Sequence, residues 1–281
     1  MRIVRSVEDI RAAVYEARGR GATVGLVPTM GAFHAGHLSL MQAARAAHDL
    51  VVVSLFVNPT QFGPNEDLAA YPRDEQRDAR LAEQAGVDIL FAPSAADMYP
   101  DGFATTVHVA GLTDVMCGAA RPGHFDGVAT VVAKLFGVVA PDAAYFGQKD
   151  AQQLLVIRRM VRDLDIPVRV VSCPIVREDD GLAMSSRNAY LDAASRQRAT
   201  ALHRALAAAA DAVAHGTTDA DAVLGTARAV LDAAGIDPEY LDLHSLDDLT
   251  AQEAVAPVAL LAVAARVGAA RLIDNMVLEA P

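Results

Sequence analysis

The chain has 281 residues, a formal charge of −11, 53% hydrophobic residues and no tryptophan. That length accommodates one large or two modest domains, and the apolar content is ample for a core. An acidic chain with no polybasic block and few aromatics excludes a polynucleotide partner, and the lack of an uninterrupted apolar run of about 18 residues excludes a membrane span.

The N-terminus, MRIVRSVEDIRAAVYEARGRG, has acids from Glu8 onward and no secretory apolar core, so it reads as a short strand and an amphipathic helix. Residues 23–27 (TVGLV) and 50–56 (LVVVSLF) are near-continuous apolar runs, the pattern of parallel strands covered on both faces. Between them 38–47 (LSLMQAARAA) has helical spacing. A charged amphipathic helix is expected at 74–85, a strand at 88–91, a helix at 125–139 ended by Pro141, a strand at 143–146, a helix at 150–164 and a strand at 168–172. This alternation predicts an α/β fold, a Rossmann-like doubly wound parallel sheet.

The pattern then changes. An Ala-rich helix over 193–215 and a second over 219–234 precede three strands at 240–243, 258–265 and 271–277, the last two flanking a turn at Val267-Gly268. A smaller C-terminal α+β lid domain, residues 175–281, is therefore expected after a first domain of 1–174. Cys117 and Cys173 lie far apart in the sequence and form no C-x-x-C pattern, as expected of reduced thiols in a cytoplasmic protein.

Chemistry concentrates in three segments. In VPTMGAFHAGHLSL a strand ends at Pro28, glycines follow at 31 and 36, and a helix begins near His37. Glycines permit close approach of a phosphate, and the first helical turn offers unpaired N–H groups at its positive dipole end. His34 and His37, three apart, can face one anion. No third ligand completes a zinc site, so no protein-bound metal is expected. In DDGLAMSSRN, Ser185, Ser186 and Arg187 set two hydroxyls beside a guanidinium, which suits a polyphosphate, although an ordinary turn and helix cap has the same composition. In YFGQKD, Lys149 follows a strand at the sheet edge where α/β ligands bind. A solvated lysine fits the same spacing.

Together these segments place H-x-G-H early and M-S-S-R late, which resembles the nucleotide-binding signatures of class I aminoacyl-tRNA synthetases and related nucleotidyltransferases. PTMGAFHAGHLSL, FVNPTQFGPNEDLAAYPR, RPGHFDGV, YFGQKDAQQL and GLAMSSRNAYL are similar, in order, to the blocks of the pantothenate synthetase (pantoate–β-alanine ligase) family, over roughly residues 23–195. The resemblance implies a homodimer, Mg²⁺-ATP, and two steps. Pantoate carboxylate attacks the α-phosphorus with loss of pyrophosphate, then the β-alanine amine attacks the pantoyl carbonyl with loss of AMP.

Carried over by position, Met30, Gly31, Ala32, Phe33, His34, Ala35, Gly36 and His37 line the ATP site, joined by Gly147, Gln148, Lys149, Asp150, Val176, Met184, Ser185, Ser186 and Arg187. The resemblance implies catalytic roles for His34, His37, Lys149 and Arg187. It assigns pantoate to Gln61 and Gln153, with β-alanine also near Gln61. Neutral amides suit a nucleophilic carboxylate, whose reactivity an Arg fork would quench. There are two departures, one from the synthetase signature and one from the family. Ala183 stands where the synthetase signature opens with Lys, so Lys149 and Arg187 must converge on the phosphates, and Phe33 stands where Leu is common. Arg73, Arg121 and His124 fall near the site by resemblance but have no role that chemistry alone supplies. The Asp179-Asp180 pair can be read as a magnesium contact or as a solvated loop.

An adenylyltransferase acting on a phosphate acceptor shares H-x-G-H but needs a basic acceptor pocket, which Gln61 and Gln153 do not provide. A non-enzymatic nucleotide sensor needs no convergent His, Lys and Arg set. A tRNA synthetase is disfavoured by the short, acidic chain.

Overall fold

The computed structural model describes residues 1–281 except residue 65. Its larger sheet has six parallel strands: β1 (Arg2–Val4), β2 (Val24–Thr29), β3 (Leu50–Leu55), β4 (Ile89–Phe91), β5 (Ala143–Gly147) and β6 (Arg169–Cys173), in the order β1-β4-β3-β2-β5-β6. The connecting helices are α1 (Val7–Gly19), α2 (Ala35–Ala47), α3 (Glu75–Gln84), the short α4 (Ala95–Met98) and α5 (Met116–Ala120), α6 (His124–Val139) and α7 (Ala151–Asp163).

Alternate residues of each central strand point to opposite faces, and both faces are covered. Leu26 and Val52 join a core with Ile10, Val14, Val128 and Ile157 from α1, α6 and α7. Val27, Val51 and Val53 join a second core with Met41, Ala44 and Ala82 from α2 and α3. Each fully buried Val or Leu contributes about 1.5–3 kcal/mol relative to exposure, and this two-sided demand explains the unbroken apolar runs.

The helix expected near His37 begins at Ala35, because His34 caps it. The helix expected over 193–215 is two, α8 (Ala193–Ala199) and α9 (Ala201–Ala214). The Thr200 hydroxyl donates to the Gln197 carbonyl at 2.8 Å, competing with the regular helical ladder at the join. Following α10 (Ala220–Ala233), β7 (Pro238–His244), β8 (Val258–Val267) and β9 (Ala270–Glu279) form an antiparallel sheet in chain order.

The β8–β9 turn falls one residue later than expected, at Gly268-Ala269. Val267 stays in its strand because it is fully buried, and Gly268 takes φ +59° beside Ser195, whose Oγ would lie 2.4 Å from any added Cβ. Along β8, Leu261, Val263 and Ala265 pack with Leu202, Leu206 and Val223 from α9 and α10. Leu260 and Ala262 point the other way, into the core of the larger sheet. The second sheet is therefore anchored on the first.

Candidate active site

In the larger sheet the chain runs from β2 through β3 and β4 on one side, while β5 and β6 lie on the other. Strand order reverses between β2 and β5, and the crevice at the carboxyl ends of such strands is where α/β sheets take ligands. Two adjoining cavities open there, an inner one of about 240 Å³ and an outer one of about 820 Å³. They share Arg121, His124, Lys149, Gln153, Ser185 and Arg187 and so make one cleft.

The loop after β2 is held from below. Gly31 has φ +92° and Ala32 φ +53°. The buried carboxylate of Asp78, on α3, accepts the Ala32 and Phe33 amides at 2.8 Å each. Burial raises the Asp78 pKa, and these amides offset only part of the rise. Phe33 is only 1% exposed, sits in the α2–α3 core and lies 5.5 Å from the His37 ring.

His34 Nδ1 accepts the Gly36 amide at 3.1 Å, and His37 Nδ1 accepts the His34 amide at 3.4 Å, a reciprocal capping box. A ring nitrogen that accepts carries no hydrogen, so these partners assign the proton of each neutral ring to Nε2. Burial, then the Lys149 charge, lowers the His34 pKa to about 4. Burial, then His34, lowers that of His37 to about 3. Both rings line the inner cavity as neutral donors, 4.2 Å apart. This narrows the expectation of unpaired amides in the first helical turn. The Gly36 amide is taken by His34, and those of His37 and Leu38 by the His34 carbonyl.

Gln61 ends a tight turn, Pro59–Gln61, against which α6 packs closely. A Cβ on Gly127 would lie 2.5 Å from the Thr60 carbonyl oxygen, so glycine is required there. Asn58 Oδ1 accepts from the Tyr99 hydroxyl at 2.7 Å and from the Thr60 hydroxyl at 3.0 Å. Asn58 Nδ2 donates to the Gly127 carbonyl and to Gln61 Oε1, each at 3.1 Å. Gln61 Nε2 is left beside Met30 Sδ at 3.2 Å, in the inner cavity. His124 Nδ1 donates to the Gln61 carbonyl at 2.8 Å while its Nε2 accepts from Arg121 at 2.9 Å. Arg121 also forks onto Glu66, at 2.7 and 2.5 Å, and holds that carboxyl below its ordinary pKa. His124 is neutral, burial and then Arg121 lowering its pKa to about 4. Arg121 and His124 thus form a brace behind Gln61.

Lys149 and Gln153 reach both cavities, whereas the neighbouring Gln152 is structural, bonding Cys117, Leu112 and Val115. The chain from Val176 to Met184 folds back on itself through Glu178–Leu182 and Met184–Val176 backbone bonds, delivering Met184, Ser185, Ser186 and Arg187 to the inner cavity. Ala183, at the position where the synthetase signature has Lys, is buried. Lys149 and Arg187 line both cavities, so the two cations share one cleft. Arg187 also meets Asp67 at 3.1 Å.

Met30, His34, Gly36, His37, Gln61, Gly147, Asp150, Gln153 and Val176 line the inner cavity. Gly31, Ala32, Phe33, Ala35 and Gln148 line neither. Asp180 pairs with Arg196 at 2.6 Å and Asp179 is exposed; neither lines a cavity. The sequence reading missed Asp78, whose place one turn before Ala82 on the apolar stripe of α3 was the available signal.

A sequence profile of the family described as pantoate-beta-alanine ligase matches residues 2–277. The chain is 54% identical to pantothenate synthetase of Moorella thermoacetica, over 99% of each chain, and 54% identical to that of Roseiflexus castenholzii, over the whole of both. Among solved structures, pantothenate synthetase from Thermus thermophilus superposes with TM-score 0.94 at 50% identity, over 98% of this chain and 99% of that one. The pantoate-beta-alanine ligase of Francisella tularensis, crystallised with β-γ ATP and β-alanine, superposes with TM-score 0.80 at 33% identity, over 98% and 97%. A profile match over nearly the whole chain, and relatives this similar end to end, show that the chain belongs to the pantoate–β-alanine ligase family.

Proposed function

We propose that the chain condenses pantoate with β-alanine at the expense of ATP, through a pantoyl-adenylate, in the cleft between β2 and β5. One observation carries this reading: a single cleft is lined both by neutral amides, Gln61 and Gln153, and by a set of donors, His34, His37, Lys149, Ser185 and Arg187. The amides suit a carboxylate nucleophile and the donor set a triphosphate. The carboxylate oxygen forms a bond to the α-phosphorus as the bond to pyrophosphate breaks. The amine nitrogen then bonds the acyl carbon, AMP leaves, and the nitrogen gives up its proton.

Charge grows on the departing pyrophosphate. The Nε2–H groups of His34 and His37 and the Lys149 ammonium are preorganised to meet it, stabilising the transition state more than the ground state. Holding carboxylate and phosphorus together removes much of the entropic barrier. Gly147, Asp150, Val176, Met184 and Ser186 complete the nucleotide's surroundings, and β-alanine is placed beside Gln61.

Magnesium fits as an ion carried by the nucleotide. Among the described residues no three His, Cys, Asp or Glu side chains stand together to cage one, and such ions commonly keep water and substrate phosphates as ligands. Bound there, it would neutralise phosphate charge.

The boundary between sheet-bearing body and lid falls near residues 174 and 175, with residues 175–281 closing over the adenylate. A homodimer is part of this reading, and residues 103–106, exposed and outside any helix or strand, are accessible to a second copy. The cytoplasm is the compartment suited to a chain with two free cysteines and, among the described residues, no helix long and apolar enough to cross a membrane.

Isotope exchange tests the reaction. With Mg²⁺-ATP and pantoate alone, labelled pyrophosphate should enter ATP, and β-alanine should then release AMP and amide. Exchange that requires β-alanine would refute the adenylate route. Transfer to a phosphorylated acceptor without pantoate-dependent exchange would favour the adenylyltransferase.

A further inference from the structure

Two adjacent residues of β9 reach both elements that bring cations and hydroxyls to the cleft. Asn275 is 3% exposed, and its Nδ2 donates to the Gln148 carbonyl at 3.0 Å and the Lys149 carbonyl at 2.8 Å. Asp274, equally buried, takes both Arg177 nitrogens, at 2.6 and 3.0 Å. Arg177 in turn donates to the Gly181 carbonyl at 3.1 Å, across the base of the hairpin that ends in Met184–Arg187. Successive strand residues point to opposite faces, so one dipeptide grips the Lys149 turn on one side and the Ser185–Arg187 hairpin on the other.

We infer that Asp274-Asn275 is a positioning pair that sets the convergence of Lys149 with Ser185–Arg187 on a nucleotide triphosphate. The inference rests on the ATP site of the proposed function. The departure at Ala183 gives the pair its importance: with no lysine at that position, the phosphates depend on two cations carried by separate segments. Both segments leave paired strands of the larger sheet, the Lys149 turn from β5 and the hairpin from β6, and β9 contacts them beyond those strand ends. The Lys149 turn is a single 3-10 turn, Gln148–Asp150, and its last two carbonyl partners before α7 are the Asn275 amide hydrogens. A carbonyl released from Asn275 leaves the lysine's backbone free to shift, and a shift of about 1 Å in a positioned group is enough to cost catalysis heavily.

The test uses Asn275→Asp, which keeps volume but sets a carboxylate against two carbonyls, and Asn275→Ala, each in the full-length chain and in a Lys149→Ala background. ATP affinity is read by calorimetry, and the KM values for ATP and pantoate by pyrophosphate exchange. Losing two buried hydrogen bonds predicts ~10-fold weaker ATP binding, with the pantoate KM within ~2-fold of wild type. In the Lys149→Ala background the Asn275→Ala change should add less than ~2-fold, because coupled residues are not additive. A purely structural role would raise both KM values alike, or give the full loss in both backgrounds; either result overturns the inference. Should Asn275→Asp fail to fold, the two Asn275→Ala backgrounds decide it. A chain that binds ATP but shows no pantoate-dependent exchange refutes the proposed reaction, while the binding comparison still decides the role of Asn275.

Discussion

Asn58 Nδ2 donates to Gln61 Oε1 over 3.1 Å, and that bond decides which end of the Gln61 amide faces the cleft. Because Asn58 Oδ1 is already occupied by Tyr99 and Thr60, its amide cannot turn over without losing both. Gln61 therefore presents N–H, a donor for a carboxylate. Gln61→Glu keeps the shape and replaces that donor with a charged acceptor. It should raise the pantoate KM ~10²-fold, the scale of losing a polar contact and gaining a like charge, with ATP affinity close to wild type. Equal losses for ATP and pantoate would show that Gln61 does not discriminate between them.

The capping box predicts that two isosteres of His37 separate its two jobs. Asparagine can replace Nδ1 as an acceptor for the His34 amide but has nothing at the Nε2 position. Glutamine can place an N–H close to Nε2. His37→Asn should lower kcat/KM for ATP by ~10²–10³-fold, as removal of one preorganised donor does, with little change in melting temperature. His37→Gln should recover about tenfold of that loss. Identical activity of the two variants would refute an Nε2–H donor.

Much of the frame was legible because its physical causes are local. Strands covered on both faces must be apolar throughout, and helices between them must carry one apolar stripe, so order and class follow from periodicity. The motifs also stand on the crevice because loops at strand ends are where a sheet exposes backbone. Side-chain direction was harder to read. Phe33, placed among the ATP contacts by its motif, points into the α2–α3 core and supports the His37 ring. Asp78, Asn58 and Asn275 act through hydrogen bonds to segments 45, 69 and 127 residues away, and no spacing rule in a single sequence encodes such pairings. The break at Thr200 turned on one hydroxyl in a helix whose alanines gave no other signal.

Acid should destabilise the protein in a window set by its buried imidazoles. His34 and His124 have pKa values lowered to about 4 and His37 to about 3, against about 6.5 in the unfolded chain. Between about pH 6.5 and 4 the unfolded state binds more protons, so stability is complete above about 6.5 and falls as pH drops through that range. A melting temperature lower by ~3–10 °C at about pH 4.5 than at about pH 7 is expected. His124→Asn, whose Nδ2 can still donate to the Gln61 carbonyl, should flatten part of that slope. An unchanged slope in this variant would rule out His124 as a contributor. The same neutrality predicts that kcat/KM for ATP shows no inflection near about pH 6.5 from His34 or His37.

On the proposed reading, Asp67 competes with phosphate for Arg187. The pair meets at 3.1 Å with both side chains a little over a quarter exposed, so it is a partly screened ion pair, worth about 0.2–1 kcal/mol. A triphosphate must displace Asp67 to engage the guanidinium, and the energy of the pair is subtracted from ATP binding. Asp67→Asn removes the competing charge while keeping a hydrogen-bond acceptor. ATP should therefore bind ~1.4–5-fold more tightly, the range that such a pair's energy allows. The gain should shrink at high salt, because added ions already weaken the pair in the wild-type chain. Arg187→Ala should abolish the effect of Asp67→Asn, since no guanidinium remains to be released. Tighter ATP binding that survives in the Arg187→Ala background would mean that Asp67 acts on the nucleotide by direct repulsion. Weaker binding on Asp67→Asn would mean that the carboxylate holds Arg187 in its productive position.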